Sequence, residues 1–169
     1  MISIRKVTTQ AEFDGLEPVW NSLLESSASK TIALTWEWQS TWWAVFGRKG
    51  RELNILVTSQ NGEIVGIAPL LKRSVLHYGL LFTRLEFIGT GEDEAEEICS
   101  EYLDFIIRHG LEADVTAAIM RYVREVDDSW DEIALEAIDA ASESPAKIIS
   151  SQNGSSAQAR VVSKEAGSY

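Results

Sequence analysis

Leu53-Asn54-Ile55-Leu56-Val57-Thr58 and Glu63-Ile64-Val65-Gly66-Ile67-Ala68-Pro69-Leu70-Leu71 stand on either side of Asn61-Gly62. Asn-Gly supplies the positive φ that a tight hairpin turn demands, and both arms are rich in β-branched residues, so the stretch reads as a β-hairpin. Gly66 marks a bulge or a close backbone approach, and Pro69 implies that the far end of the second arm lacks a ladder partner. Upstream, Ile2 to Val7 puts Ile2 and Ile4 on one face and reads as a first strand. Thr9-Gln10-Ala11-Glu12 is a capping-box pattern that opens a helix, continued at helical spacing by Phe13, Leu16, Trp20, Leu23 and Leu24. Pro18 within that run predicts a kink or a second helical start. Downstream, Arg84 to Ile88 reads as a strand stopped by Gly89-Thr90-Gly91, and Tyr102 to Ile107 as a strand or a helical turn. Val115, Ala118, Ile119, Tyr122, Val123 and Val126 form one helical stripe, and Trp130 to Ile138 reads as a last strand.

Between the first helical region and the hairpin lies Thr35-Trp36-Glu37-Trp38-Gln39-Ser40-Thr41-Trp42-Trp43. Thr35 suits an N-cap, Glu37 suits the first turn, and Gly47 suits a left-handed terminator just past the end. On that helix Trp36, Gln39, Ser40 and Trp43 share one face, and Trp38, Trp42 and Val45 another. Tryptophans looking in two directions imply either that two elements sandwich the helix or that one face lines a groove for a ligand.

The chain has 169 residues, a formal net charge of −11 and a sequence pI of about 4.6. That balance argues against nucleic acid, whose phosphates call for concentrated Lys and Arg. Arg48, Lys49, Arg51, Lys72 and Arg73 are the only basic concentrations, and they read as solvated charges at element ends. Cys99 is the single cysteine, which excludes an internal disulfide and a structural zinc site and fits a small buried hydrophobe. Glu92, Asp93, Glu94, Glu96 and Glu97 read as a solvated loop whose spacing fits no calcium-loop pattern, so no metal is expected. The N-terminus lacks a basic-then-apolar signal segment, and no run has the length to span a bilayer, which makes a cytoplasmic location the expectation. Residues 1–138 are expected to form one domain. Residues 139–169 form a weakly specified segment, with a short helix near Pro145 and a strand around Arg160-Val161-Val162.

The order strand, helix, helix, hairpin, strand, helix, strand resembles the GNAT acetyltransferase superfamily, and within it the cellulose-biosynthesis-associated acetyltransferase-like proteins related to the Fem-type peptidyltransferases. Leu34 to Trp38 with Trp42-Trp43, Gly62 to Leu70, Leu85 to Gly89, Tyr102-Leu103-Asp104 and Trp130 to Leu135 carry that resemblance, in that order, over roughly Phe13 to Ile138. It implies a mixed α/β fold, a GNAT-like twisted and mostly antiparallel sheet with the hairpin central and helices on both faces. It also implies that this chain is the first of two acetyltransferase-type halves, partnered by a second half or by another copy of itself.

The implied activity is transfer of an acetyl group from acetyl-CoA to an amine or hydroxyl, on a small molecule or a polysaccharide precursor. Such chemistry needs a base for the nucleophile's proton and donors for the oxyanion. Glu86 is the implied base, with a surface ion pair to Arg84 as its alternative role. The superfamily holds the cofactor pyrophosphate on backbone N–H groups between the fourth strand and the next helix, where a basic residue or Gln precedes spaced glycines. Gly89 and Gly91 are the matching residues here, although carboxylates follow them. The expected acceptor groove uses Trp36, Trp38, Trp42, Trp43, Tyr102 and Asp104, which makes this half acceptor-side rather than cofactor-binding. The alternative is a non-catalytic interaction module that docks through exposed tryptophans. His77 and His109 show no catalytic spacing.

Overall fold

The computed structural model describes residues 1–138 apart from Lys49, Tyr78, Glu94, Glu97 and Cys99, so the expectations for Cys99 and for 139–169 lie outside the described residues. In chain order the elements are β1 (Ile2–Val7), α1 (Gln10–Asp14), α2 (Glu17–Glu25), a 3-10 turn (Ile32–Leu34), α3 (Trp36–Phe46), β2 (Arg51–Leu53), β3 (Ile55–Gln60), β4 (Glu63–Ala68), β5 (Leu70–His77), β6 (Leu80–Phe87), β7 (Ile106–Ile107), α4 (Glu112–Glu125) and β8 (Glu132–Ala134). They make a mixed α/β fold with two sheets, ordered β1-β3-β4-β7 and β2-β5-β6-β8. Every pairing is antiparallel except that of β6 with β8.

The hairpin organises both sheets. Asn61 and Gly62 take φ of 53° and 84°, as the tight turn requires. Thr58 faces Gly66 and Ser59 faces Ile64, so Val65 is the extra residue of a bulge. A Cβ on Gly66 would lie 2.5 Å from Thr58 Oγ1 and 2.7 Å from Val115 Cγ1, so Gly66 serves the close approach as well. Pro69 departs from expectation. It joins β4 to β5 at the boundary between the sheets, where the ladder is already interrupted. Its carbonyl accepts from Ile88 N at 2.8 Å, and β5 beyond it is paired on both sides, by β2 and β6. Asn54 is the matching joint in the other arm, its N–H donating to Leu70 O at 3.0 Å.

The third strand position is interrupted. β6 runs antiparallel to β5 until Phe87 faces Leu70, and the chain then leaves the ladder. It returns only at β7, where Ile106 faces Ile67. Tyr102–Ile107 therefore resolves as extended chain: Leu103 bridges Ile138, and Ile106–Ile107 forms β7. The described residues of the intervening stretch, 88–105, form a strap without a helix or strand of its own. Of the final expected strand only Glu132–Ala134 is regular, lying parallel to β6 with α4 as the crossover.

Ile55 to Thr58 are all buried although successive side chains point to opposite faces, so helices cover both sides of the hairpin. Contacts from α2 and from α4 to β4 supply that cover. Thr9 forms the expected capping box with Glu12, and Pro18 sits in the first turn of α2, so the proline starts a second helix rather than kinking one. Phe13, Trp20 and Trp36 meet at centroid separations of 4.7 to 5.8 Å beneath this layer, with Trp20 Nε1 donating to Leu34 O at 2.8 Å. Among the described residues no helix is long and apolar enough to cross a membrane.

Candidate functional site

Thr35 caps α3, its Oγ1 accepting from Trp38 N at 3.3 Å. Gly47 terminates the helix at φ −62°, in the right-handed region, contrary to the expected left-handed cap. Its lack of a side chain serves packing instead, because a Cβ there would lie 2.6 Å from Trp43 Cδ2. The buried stripe of the helix is Trp36, Gln39, Trp42 and Phe46. Trp42 thus joins the face of Trp36 rather than that of Val45, which is exposed. Of the expected groove residues, Trp36 and Trp42 are core and present no face to a ligand. Trp38 and Trp43 are half-buried, Tyr102 is exposed at φ 58°, and Asp104 is buried with its Oδ2 accepting from Ser29 Oγ at 2.8 Å. The expected pairing of Tyr102 with Asp104 toward one acceptor is not what the structure shows. One side chain faces solvent and the other is tied inward.

The tryptophan helix holds the strap down. Gln39 Nε2 donates to Ala33 O at 2.7 Å and to Ile88 O at 3.1 Å, Trp38 Nε1 donates to Ser100 Oγ at 3.1 Å, and Trp42 Nε1 donates to the Glu92 carboxylate. Two of the helix's four indoles thus use their N–H groups on the strap, a contact that a phenyl ring could not make.

Beneath the strap lies a charged cluster on one face of β2, β5 and β6. Arg51 faces Arg73 and Arg73 faces Arg84, setting three guanidinium side chains side by side across three strands. Like charges directly opposite destabilise a ladder unless something intervenes. Glu86 does so, its Oε2 2.7 Å from Arg73 Nε and its Oε1 3.6 Å from Arg84. Arg84 also pairs with Glu132 at 2.9 Å, across the parallel strand. Arg51 donates to Phe46 O at 3.1 Å and to Gly91 O, with its guanidinium 5.6 Å from the Trp42 ring centre. Burial and the neighbouring Arg73 pull the Arg51 guanidinium below its ordinary value, against the opposing effect of Glu86, Glu92 and Asp93.

Glu86 is therefore no surface ion pair. It is 3 % exposed, and its first partner is Arg73 rather than Arg84. Gly91 seals it, since a Cβ there would lie 2.5 Å from Glu86 Oε2. A base locked between two guanidinium groups and covered by backbone has no path to a nucleophile in this conformation. The acidic strap is not simply solvated either. Arg51 and Arg73 reach its Gly91 from strands distant in sequence, Glu92 and Asp93 act on Arg51, and Glu92 accepts from Trp42. The register carries a signal for this. Pairing outward from Asn61-Gly62 with one bulged residue at Val65 brings Arg51 opposite Arg73.

Two places could receive a pyrophosphate, and carboxylates stand beside both. Among the described residues no helix follows Gly89 and Gly91 directly. Ile88 N donates to Pro69 O and Thr90 N to Phe87 O, so neither N–H is available to an anion. The helix that does follow the interrupted strand is α4, preceded by Arg108 and Gly110. Its first turn carries Glu112 and Asp114. Burial alone would raise the Glu112 carboxyl, but hydrogen bonds from the backbone N–H groups of Glu112 and Gly110, with His109 at 3.2 Å, outweigh it and hold the carboxyl low. The helix end already has its anion. Among the described residues no group of three or more His, Cys, Asp or Glu is placed to hold a metal.

No family model matches the chain, and no curated protein matches it in sequence. Solved structures do resemble it. A possible acetyltransferase from Clostridium difficile 630 is 11 % identical with a TM-score of 0.46, over 99 % of each chain. An aminoglycoside acetyltransferase from an uncultured soil metagenomic sample, in complex with trehalose, is 12 % identical with a TM-score of 0.44, over 99 % of this chain and 97 % of the other. A transcriptional regulator from Bacillus halodurans C-125 is 14 % identical with a TM-score of 0.44, over 98 % of this chain and 99 % of the other. At these identities and scores the activity has to be argued from the residues themselves.

Proposed function

We propose that this chain is an acyltransferase-type domain of the GNAT kind that works on the acceptor side, with the acyl-CoA held by a second acetyltransferase-type half. The observation that carries the acceptor-side role is the state of the strap. Within the Gly89–Gly91 turn the Thr90 N–H is committed inward, as is the Ile88 N–H just before it, and Glu92 and Asp93 follow directly. The acyl-transfer part of the reading rests on the ordered sequence resemblance and on the parallel pairing of β6 with β8, joined through α4 in sheets whose other described strand pairs are antiparallel. Trp38 and Tyr102 are the aromatic residues at the strap's far end that remain for an acceptor, with Trp38 held by Ser100 and the Tyr102 carbonyl by Thr31 Oγ1 at 3.3 Å.

Calorimetric titration of the chain with acetyl-CoA tests the first part. The expected result is no binding heat from a chain that unfolds cooperatively; micromolar binding overturns the acceptor-side role. Titration with glucosamine, followed on the Trp38 indole N–H resonance, tests the second part. A shift abolished by Tyr102→Ala is expected, and no shift at saturating amine removes Trp38 and Tyr102 from the acceptor site.

A second reading, a non-catalytic interaction module, is favoured by a different patch from the one the sequence suggested. The tryptophans are largely committed, whereas Leu76, Leu80 and Leu81 at the β5–β6 tip are 63 to 74 % exposed. Concentration-dependent sedimentation that vanishes in Leu80→Ser/Leu81→Ser would favour it.

A further inference from the structure

A cleft of about 360 Å³ opens where β1 leaves its sheet, beside β2, whose only described ladder partner is β5. It lies away from Trp38 and Tyr102, and nothing in the acyl-transfer reading uses it. Its lining is Lys6, Thr8, Gln10, Trp43, Arg51, Glu52, Leu53 and Lys72. Lys6 and Lys72 bring two ammonium groups to that lining, each beside a carboxylate, Asp127 and Glu52, while the Arg51 guanidinium is committed to Phe46 O and Gly91 O.

The wall opposite the cations is preset. Trp43 has the Gly47 backbone against its ring and its Nε1 bonded to Gln10 Oε1 at 2.9 Å, so the indole is held in place before any ligand arrives. The lysines are also steadied. Lys6 Nζ lies 2.8 Å from Asp127 Oδ2, and Lys72 Nζ lies 3.1 Å from Ser129 Oγ and 3.6 Å from Glu52 Oε2. An ammonium has three donors, so each of these contacts leaves donor capacity for a ligand.

From this arrangement we infer that the cleft binds a small organic anion, a phosphate monoester or a carboxylate, whose charged head meets Lys6 and Lys72 and whose ring lies on Trp43. The inference is independent of the acyl-transfer reading and stands or falls without acetyl-CoA. The test is nuclear magnetic resonance titration of the full chain with phenyl phosphate, benzoate, inorganic phosphate and phenol. The Trp43 indole N–H is the reporter, identified from its loss in Trp43→Phe. Phenyl phosphate and benzoate are expected to shift it saturably, inorganic phosphate more weakly, and phenol not at all.

Lys72→Gln should weaken phenyl phosphate by about tenfold, the loss of one charge-assisted contact. Glu52→Gln should tighten it, because the only carboxylate in the lining is removed. The Glu52 side chain is 76 % exposed, so that variant keeps the test valid even if Lys72→Gln disturbs folding. A cleft indifferent to all four probes, or one that takes phenol as well as phenyl phosphate, or a Glu52→Gln variant that binds no tighter, would overturn the inference.

Discussion

The near and far ends of the central hairpin are built on different principles. Around the bulge, β3 and β4 bury both faces: Ile55, Leu56, Val57, Val65, Ile67 and Ala68 are at most 2 % exposed. Past Asn54 and Pro69 the same two arms carry Arg51, Arg73 and, through β6, Arg84, with Glu86 between them and exposed leucines at the tip. The near half gains its stability from apolar area removed from water, which tolerates no gap. The far half also buries Leu53, Leu70, Leu71, Leu85 and Phe87, and adds to them a row of charges whose compensation matters most when one partner is removed. The interrupted third strand marks the boundary. Up to Phe87 it belongs to the charged sheet, and from Ile106 onward to the apolar one.

Substitutions that strike one half and spare the other are the way to break this contrast. Ile67→Ala should cost about 2–5 kcal/mol of unfolding free energy in a urea titration, because a fully buried side chain leaves a cavity in a packed layer. A cost under ~1 kcal/mol would mean that the near half is not the core. Glu86→Gln should cost about 3 kcal/mol, the lower end for breaking a buried ion pair. Glu86→Gln/Arg73→Met should recover part of that loss; no recovery would show that Glu86 stabilises through something other than the guanidinium row. Trp42→Phe removes the N–H bound to Glu92 together with part of a buried indole, so about 1–3 kcal/mol is expected, with faster amide exchange at Gly91 and Glu92 as its signature.

Asp127 sharpens the comparison through pH. Burial alone would raise its carboxyl, but hydrogen bonds from Lys6 Nζ and Ser129 outweigh it and hold the carboxyl below its ordinary value. A depressed folded value means that the contribution is complete above the ordinary aspartate range near ~4 and is lost as pH falls through the folded value. Asp127→Asn should therefore flatten the acid limb of a stability–pH profile below about pH 4 while lowering the neutral plateau. An unchanged acid limb would assign acid sensitivity to other carboxylates. The smallest effect belongs to Leu76→Ser at the far tip. Its side chain is 74 % exposed, so stability should move by less than about 0.5 kcal/mol, and a larger loss would reveal a contact in solution.

Local chemistry made much of the fold legible. Asn61-Gly62 announced the turn, Gly66 the bulge, Thr9 with Glu12 and Thr35 the caps, Pro18 a kink or a helical start of which the second is found, and the Val115–Val126 stripe a helix, although Val126 itself lies past its end and is exposed. Each is decided within a few residues, by φ preference, orphan N–H groups or helical period. The candidate site was legible only in part. Glu86 stood out only through the family resemblance, which implied a base on that strand. Its pairing was read in part: Arg84, two residues away in sequence, lies 3.6 Å from it, while the nearer partner, Arg73, is one strand away in space. Composition marked the tryptophan helix as important, yet whether an indole grips a ligand or a loop depends on what lies opposite, and period alone does not say.

By itself, then, the sequence determined most of the elements, the N-caps at Thr9 and Thr35 and the hairpin turn with its bulge, because those follow from short-range sterics and hydrogen bonding. Only the tertiary structure decided that the strand after Phe87 would be interrupted, that α3 would hold the strap over three aligned arginines, and that Lys6, Arg51 and Lys72 would share one cleft. Those outcomes depend on long-range pairing, where charges distant along the chain become neighbours and the cost of leaving them uncompensated selects the arrangement.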